Sequence, residues 1–135
     1  MNVEEFNKLQ HKEVNNNIAI DFDGVIHKSS KGFNNGGIYD PPIKGSIEAI
    51  NWFKNEGYNI IIHTAKVKPD RPLVNGKTGM ELVTDWLKEH EIYNLIDEVT
   101  CIKPRAFIYI DDRGLRFETW EQTLNKFKEI IKYEY

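Results

Sequence analysis

The chain has 135 residues, 40% hydrophobic and 29% charged, which suits one soluble globular domain spanning 1–135 with its own core. A net charge of −3 excludes a global field that would draw in nucleic acid or an anionic membrane, while leaving room for local basic patches. Cys101 is the lone cysteine, which excludes an internal disulfide and fits a reducing compartment.

Val3, Phe6 and Leu9 give a helical stripe and predict a short leading helix over 3–13, broken by Asn15-Asn16-Asn17. The opening Met1-Asn2-Val3-Glu4-Glu5 lacks the basic start and apolar run of a signal peptide, and no stretch reaches the roughly 18 apolar residues of a membrane span. A cytoplasmic location without membrane contact is therefore expected. Ile18–Asp23 reads as a buried strand, and residues 24–41, rich in glycine, as a flap loop. Ser46–Glu56 has Ile47, Ile50 and Phe53 at helical spacing, with Gly57 as a stop. Tyr58–Thr64 is a second apolar strand, and residues 65–77 a basic loop containing Pro and Gly.

Thr78-Gly79-Met80-Glu81 has the form of a capping box and opens a helix running to about His90. Glu98–Ile102 and Ala106–Ile110 read as two more strands. Thr119-Trp120-Glu121-Gln122 is a second capping box, and the helix after it carries Leu124, Phe127, Ile130 and Ile131 on one side. Strands alternating with amphipathic helices predict βαβ units: an α/β, three-layer, Rossmann-like domain with a mostly parallel sheet. In such sheets ligands bind beyond the carboxyl ends of the strands.

Four polar clusters fall at those ends. Asp21 and Asp23 lie two apart on a strand and so share a face. Two adjacent carboxylates repel unless a cation or a shared proton offsets the charge, an arrangement that asks for Mg²⁺. One can attack phosphorus and the other can move a proton. The pair also reads as a plain strand-end turn. Thr64 can bind a phosphate oxygen or simply cap a turn. Lys103, fixed in direction by Pro104, can balance carboxylate and phosphate charge or stand solvated in a loop. Asp111 and Asp112 follow an apolar run read as a buried strand, where metal ligation offsets the cost of placing charge; with Gly114 nearby the pair also reads as a turn.

Taken together, Asp-x-Asp, Thr, Lys and Asp-Asp in this order resemble the four motifs of the haloacid dehalogenase (HAD) superfamily, over Ile18 to Asp112. By that resemblance Asp21 is the nucleophile and Asp23 the general acid/base, which also offers its carbonyl to the metal. Thr64 and Lys103 take the phosphate and charge-stabilising positions, and Asp111, supported by Asp112, binds Mg²⁺. An acid two positions after the nucleophile is similar to the phosphatase and phosphomutase branches. With no insert long enough for a cap domain, the chain resembles a minimal, capless member.

The implied activity is Mg²⁺-dependent hydrolysis of a phosphomonoester through an aspartyl-phosphate. The substrate would be a phosphorylated metabolite, a nucleotide or a nucleic-acid end, with a homo-oligomer as one way to cover the open site. Candidate substrate contacts are His27, Lys31, Asn34, Asn35 and Tyr39 in the flap, and Lys66, Lys68 and Arg71 in the basic loop, each equally readable as solvated polarity. Arg113 and Arg116 follow the second acid pair and can contribute or merely offset its charge. Two rivals keep the same fold type: a phosphoacceptor receiver domain, disfavoured because the second acid cluster follows the lysine, and an idle phosphate-binding scaffold.

Overall fold

The computed structural model describes residues 1–6 and 16–133. Residues 3–6 are helical; the remainder of the leading helix expected over 3–13 lies outside the described residues. Four strands follow: β1 (Asn17–Ile20), β2 (Asn59–His63), β3 (Glu98–Thr100) and β4 (Ile108–Ile110). The helices are α1 (Ser46–Asn55), α2 (Gly79–Glu89) and α3 (Trp120–Tyr133). All strand pairs are parallel and the sheet order is β3-β2-β1-β4.

The register sets Ile18, Ala19 and Ile20 beside Ile60, Ile61 and Ile62 on one side, and beside Ile108, Tyr109 and Ile110 on the other. Successive strand residues point to opposite faces, yet Ile18, Ala19 and Ile20 are all buried. Both faces of the central sheet are therefore covered, as the three-layer α/β expectation requires. The core joins those isoleucines to Phe22, Ile26, Ile50, Val83, Trp86, Leu87 and Ile92.

The strands are shorter than their apolar runs, for local reasons. β1 stops at Ile20 because the Phe22 N–H donates to the Asp21 side chain (2.7 Å) instead of to a neighbouring strand. β3 stops at Thr100 because the Thr100 hydroxyl accepts the Ile102 N–H at 3.1 Å, just before Pro104. Both helix signals in the middle of the chain hold. Gly57, at φ +91°, ends α1 as its N–H reaches Lys54 and the next N–H reaches Phe53. Thr78 and Glu81 cap α2 reciprocally.

α3 departs from its reading as a core-facing helix: Leu124, Phe127, Ile130 and Ile131 are exposed, as are Phe107, Ile108 and Tyr109 around edge strand β4. Among the described residues, no helix is long and apolar enough to cross a membrane.

The chain runs from β1 outward through β2 to β3, then returns to the opposite side of β1 to form β4. The switch in strand order thus falls between β1 and β4. The carboxyl ends of these two strands lead directly into Asp21 and Asp111.

Candidate active site

Asp21 leaves β1 with its N–H still bonded to the Ile110 carbonyl (2.9 Å), so the ends of β1 and β4 are held side by side. Carboxylate oxygens of Asp21, Asp111 and Asp112 consequently lie within 4.8 Å of one another. Burial raises the Asp21 pKa above its ordinary value, and the charges of Asp111, Asp112 and Asp23 push the same way. The Phe22 N–H on its carboxylate opposes them. Asp111 is steadied by the Arg113 N–H at 2.6 Å.

Gly24 makes room for this cluster. A Cβ there would stand 2.3 Å from an Asp112 carboxylate oxygen, and its φ of +85° suits glycine besides. The glycine of Asp21-Phe22-Asp23-Gly24 thus has a double physical reason, as turn former and as clearance for an acid from β4.

Asp23 is turned differently. Its carboxylate does not join the three clustered acids; Oδ1 lies 2.8 Å from His27 Nδ1 and Oδ2 lies 3.2 Å from Lys66 Nζ. The His27 ring is fully buried between Phe22, Tyr39 and Trp86. Its Nε2 accepts the backbone N–H groups of Tyr39 (3.3 Å) and Asp40 (3.1 Å). A nitrogen that accepts carries the lone pair, so the ring proton sits on Nδ1 and is donated to Asp23. This corrects the sequence reading of His27 as a substrate contact. It is a buried strut between the flap and Asp23.

The flap is correspondingly well anchored. The Ile43 N–H donates to the Ile26 carbonyl (2.8 Å), and the Trp86 indole N–H donates to the Asp40 carbonyl (2.9 Å).

Thr64 directly follows β2 and is buried; its hydroxyl accepts the Lys66 N–H at 3.2 Å, capping a short 3₁₀ turn over Ala65–Val67. That turn directs the buried Lys66 side chain back to Asp23 and to the Gly36 carbonyl (3.3 Å). Lys103 is placed elsewhere. It is exposed, with Nζ 4.9 Å from the centre of the Tyr109 ring, in a hollow that reaches the acid cluster only through Asp111. The cation beside Asp23 is therefore Lys66, from the second loop, and not Lys103. The only sequence signal for it is proximity: two residues after the strand-end threonine.

Asp21, Asp23, Thr64, Asp111 and Asp112 all line one cavity of about 490 Å³ beyond the strand ends. The same cavity takes in Lys28, Lys66, Arg71 and Arg113, so four carboxylates face four cationic side chains. Asn34, read as a substrate contact, sits on an exposed turn outside this lining.

No protein-family model and no curated protein matches the sequence. One solved structure does, a conserved protein from Bacteroides thetaiotaomicron. It is 20% identical over 84% of this chain and 89% of its own, with a TM-score of 0.49. At that level the likeness assigns neither a family nor an activity.

Proposed function

We propose that this protein is a small, capless, HAD-like phosphatase that hydrolyses phosphomonoesters with Mg²⁺ through an aspartyl-phosphate on Asp21. The observation that carries this reading is the meeting of Asp21 with Asp111 and Asp112 at the β1/β4 switch point. Charge balance supports it as well. A cavity lined by four acids and four cations stays balanced when a divalent cation and a phosphate dianion enter together.

The donor set fits the ion. Carboxylates are hard oxygen ligands of the kind Mg²⁺ takes, and Asp21, Asp111 and Asp112 would hold it. Their carboxylate oxygens lie within 4.8 Å of one another, so one small cation can draw on all three. When bound, Mg²⁺ would neutralise carboxylate repulsion and polarise a phosphate oxygen.

The chain's own groups then divide the work. Asp21, held by the Phe22 N–H, presents its free oxygen to phosphorus; the new bond forms there as the ester P–O bond breaks. The leaving alkoxide takes a proton from the Asp23 carboxyl, which Lys66 holds in place from 3.2 Å. Asp23, oriented by His27, next takes a proton from a water molecule. The resulting hydroxide attacks the phosphorus of the acyl-phosphate, releasing inorganic phosphate and restoring the Asp21 carboxylate. Lys66, Arg71 and Arg113 offset the charge on the transferring phosphoryl oxygens.

Phosphate release from p-nitrophenyl phosphate, with Mg²⁺ and with chelator, tests the activity. Asp21→Asn is expected to remove turnover by at least about 10³-fold, since nothing else supplies the nucleophile. Undiminished hydrolysis by that variant, or by the wild-type protein in chelator, overturns the proposal.

A further inference from the structure

Beside the acid cavity lies a second one of about 230 Å³ that shares Phe33, Lys66 and Arg71 with it. Its remaining lining is largely apolar: Pro72, Leu73, Val74 and Leu82 around Gly36. Phe33 and Leu73 stand 66% and 61% exposed, at the edge of a site otherwise built from charges. We propose that this cavity receives the leaving group, and that the substrates are phosphomonoesters carrying an aromatic ring within one or two bonds of the ester oxygen. The inference rests on the phosphatase reading and names its substrate class.

Size, chemistry and position each point to a ring. The volume exceeds the roughly 30 Å³ share of one water several-fold, yet falls below the range of about 300–1,000 Å³ typical of drug-sized ligands. One ring fits. Pro72, Leu73, Val74 and Leu82 give aliphatic walls, Asn35, Lys66 and Arg71 are the polar members, and the Arg71 guanidinium lies 5.7 Å from the centre of the Phe33 ring. Phe33 and Arg71 thus already stack on each other, and a planar ligand seated beside this pair can pack against the ring and the flat guanidinium, two surfaces that favour an aromatic partner.

Position follows from Lys66. This side chain touches Asp23, the proposed proton donor to the leaving oxygen, and the Gly36 carbonyl on the floor of the apolar cavity. The route from the ester oxygen into that cavity is therefore one side chain long. Gly36 suits this place: at φ +80° it is already committed to glycine, and a Cβ would crowd Val74 at 3.3 Å and take up contact space beside Phe33.

Benzyl phosphate and ethyl phosphate both leave as alkoxides, so the ring is the main difference between them. The expected kcat/KM for benzyl phosphate is at least about tenfold higher. In Phe33→Ala, whose exposed position leaves the fold intact, the benzyl-to-ethyl ratio should fall by roughly three- to tenfold. A parallel measurement avoids turnover altogether: calorimetric affinity for benzylphosphonate against ethylphosphonate in Mg²⁺, expected to favour the ring by the same factor and to lose that preference in Phe33→Ala. Equal turnover of the two esters, or a ratio untouched by Phe33→Ala, overturns the ring pocket and leaves the phosphatase reading standing. If neither ester is hydrolysed the phosphatase reading falls. The phosphonates then decide the pocket alone, equal affinities overturning it.

Discussion

His27 makes five neighbours interdependent. It donates to Asp23, accepts from the backbone of Tyr39 and Asp40, and stacks among Phe22 and Trp86 with no exposed surface. Replacing it by leucine keeps the volume apolar but strands two backbone N–H groups and removes one donor from a carboxylate. Unsatisfied buried groups cost about 1–3 kcal/mol each, more than the burial gained by an extra aliphatic side chain offsets here. His27→Leu should therefore lower the urea midpoint by an amount equivalent to about 1–3 kcal/mol and cut turnover as Asp23 loses its orientation. An unchanged midpoint would remove the strut from the account.

Asp21 carries the opposite cost. Its carboxyl titrates above the ordinary range because it is half-buried beside three other acids. A carboxyl with a raised folded pKa holds its proton more tightly when folded, so stability falls as pH rises from the unfolded value to the raised folded value. Above that window the full penalty persists. Without metal, Asp21→Asn should accordingly melt higher than wild type at neutral pH, and the difference should shrink as pH is lowered through the window. Differential scanning calorimetry in chelator reads this directly; a variant melting lower at neutral pH would contradict the assignment of strain to this residue.

At the level of elements, α2 and the turn that carries Lys66 meet at one glycine. A Cβ on Gly79 would lie 1.8 Å from the Lys66 carbonyl oxygen, a backbone atom that cannot rotate away. Helix propensity alone favours Ala over Gly by about 0.5–1 kcal/mol. Overpacking costs about 1–3 kcal/mol and wins. Gly79→Ala should thus destabilise the protein on a denaturant curve, and it should also weaken activity by moving Lys66 from Asp23. A stabilised variant would show that the helix can slide away without consequence.

Much at this level was legible in the chain because it is local. Each strand followed from a short run of apolar or β-favouring residues, and the α2 cap from Thr78 and Glu81 three residues apart. Strand ends were not legible, since Asp21 and Thr100 side chains capture backbone donors that the apolar pattern assigns to the ladder. The contact of Lys66 with Asp23 is not legible for a related reason: it depends on the Thr64 hydroxyl folding a 3₁₀ turn, which no periodicity records. Order in the sequence points to Lys103, whereas its side chain lies against Tyr109. The α3 stripe is real as a helical pattern, but pattern alone does not say what covers it.

For the molecule as a whole, what matters is that two acid clusters far apart in the chain are brought to one rim by strand order. β1 and β4 are neighbours only because the chain reverses direction across the sheet after β3. Folding therefore assembles a concentration of negative charge that the unfolded chain lacks, and an ion that binds only the assembled site must stabilise the fold. Linkage gives about 2.7 kcal/mol when the free ion stands at 100 times its Kd. Mg²⁺ should consequently raise the melting temperature of the wild-type protein over that in chelator, with a gain that grows logarithmically with concentration once the site is mostly filled. Asp21→Asn should lose most of this gain, because the variant removes one ligand and also the repulsion that the ion offsets. Asp111→Asn with Asp112→Asn should lose it as well, though neither residue is near Asp21 in sequence. Potassium at equal ionic strength serves as the control, since screening of surface charge alone would shift wild type and variants alike. If melting temperatures in Mg²⁺ and in chelator coincide, the three carboxylates meet without holding an ion, and the metal-dependent chemistry built on them fails.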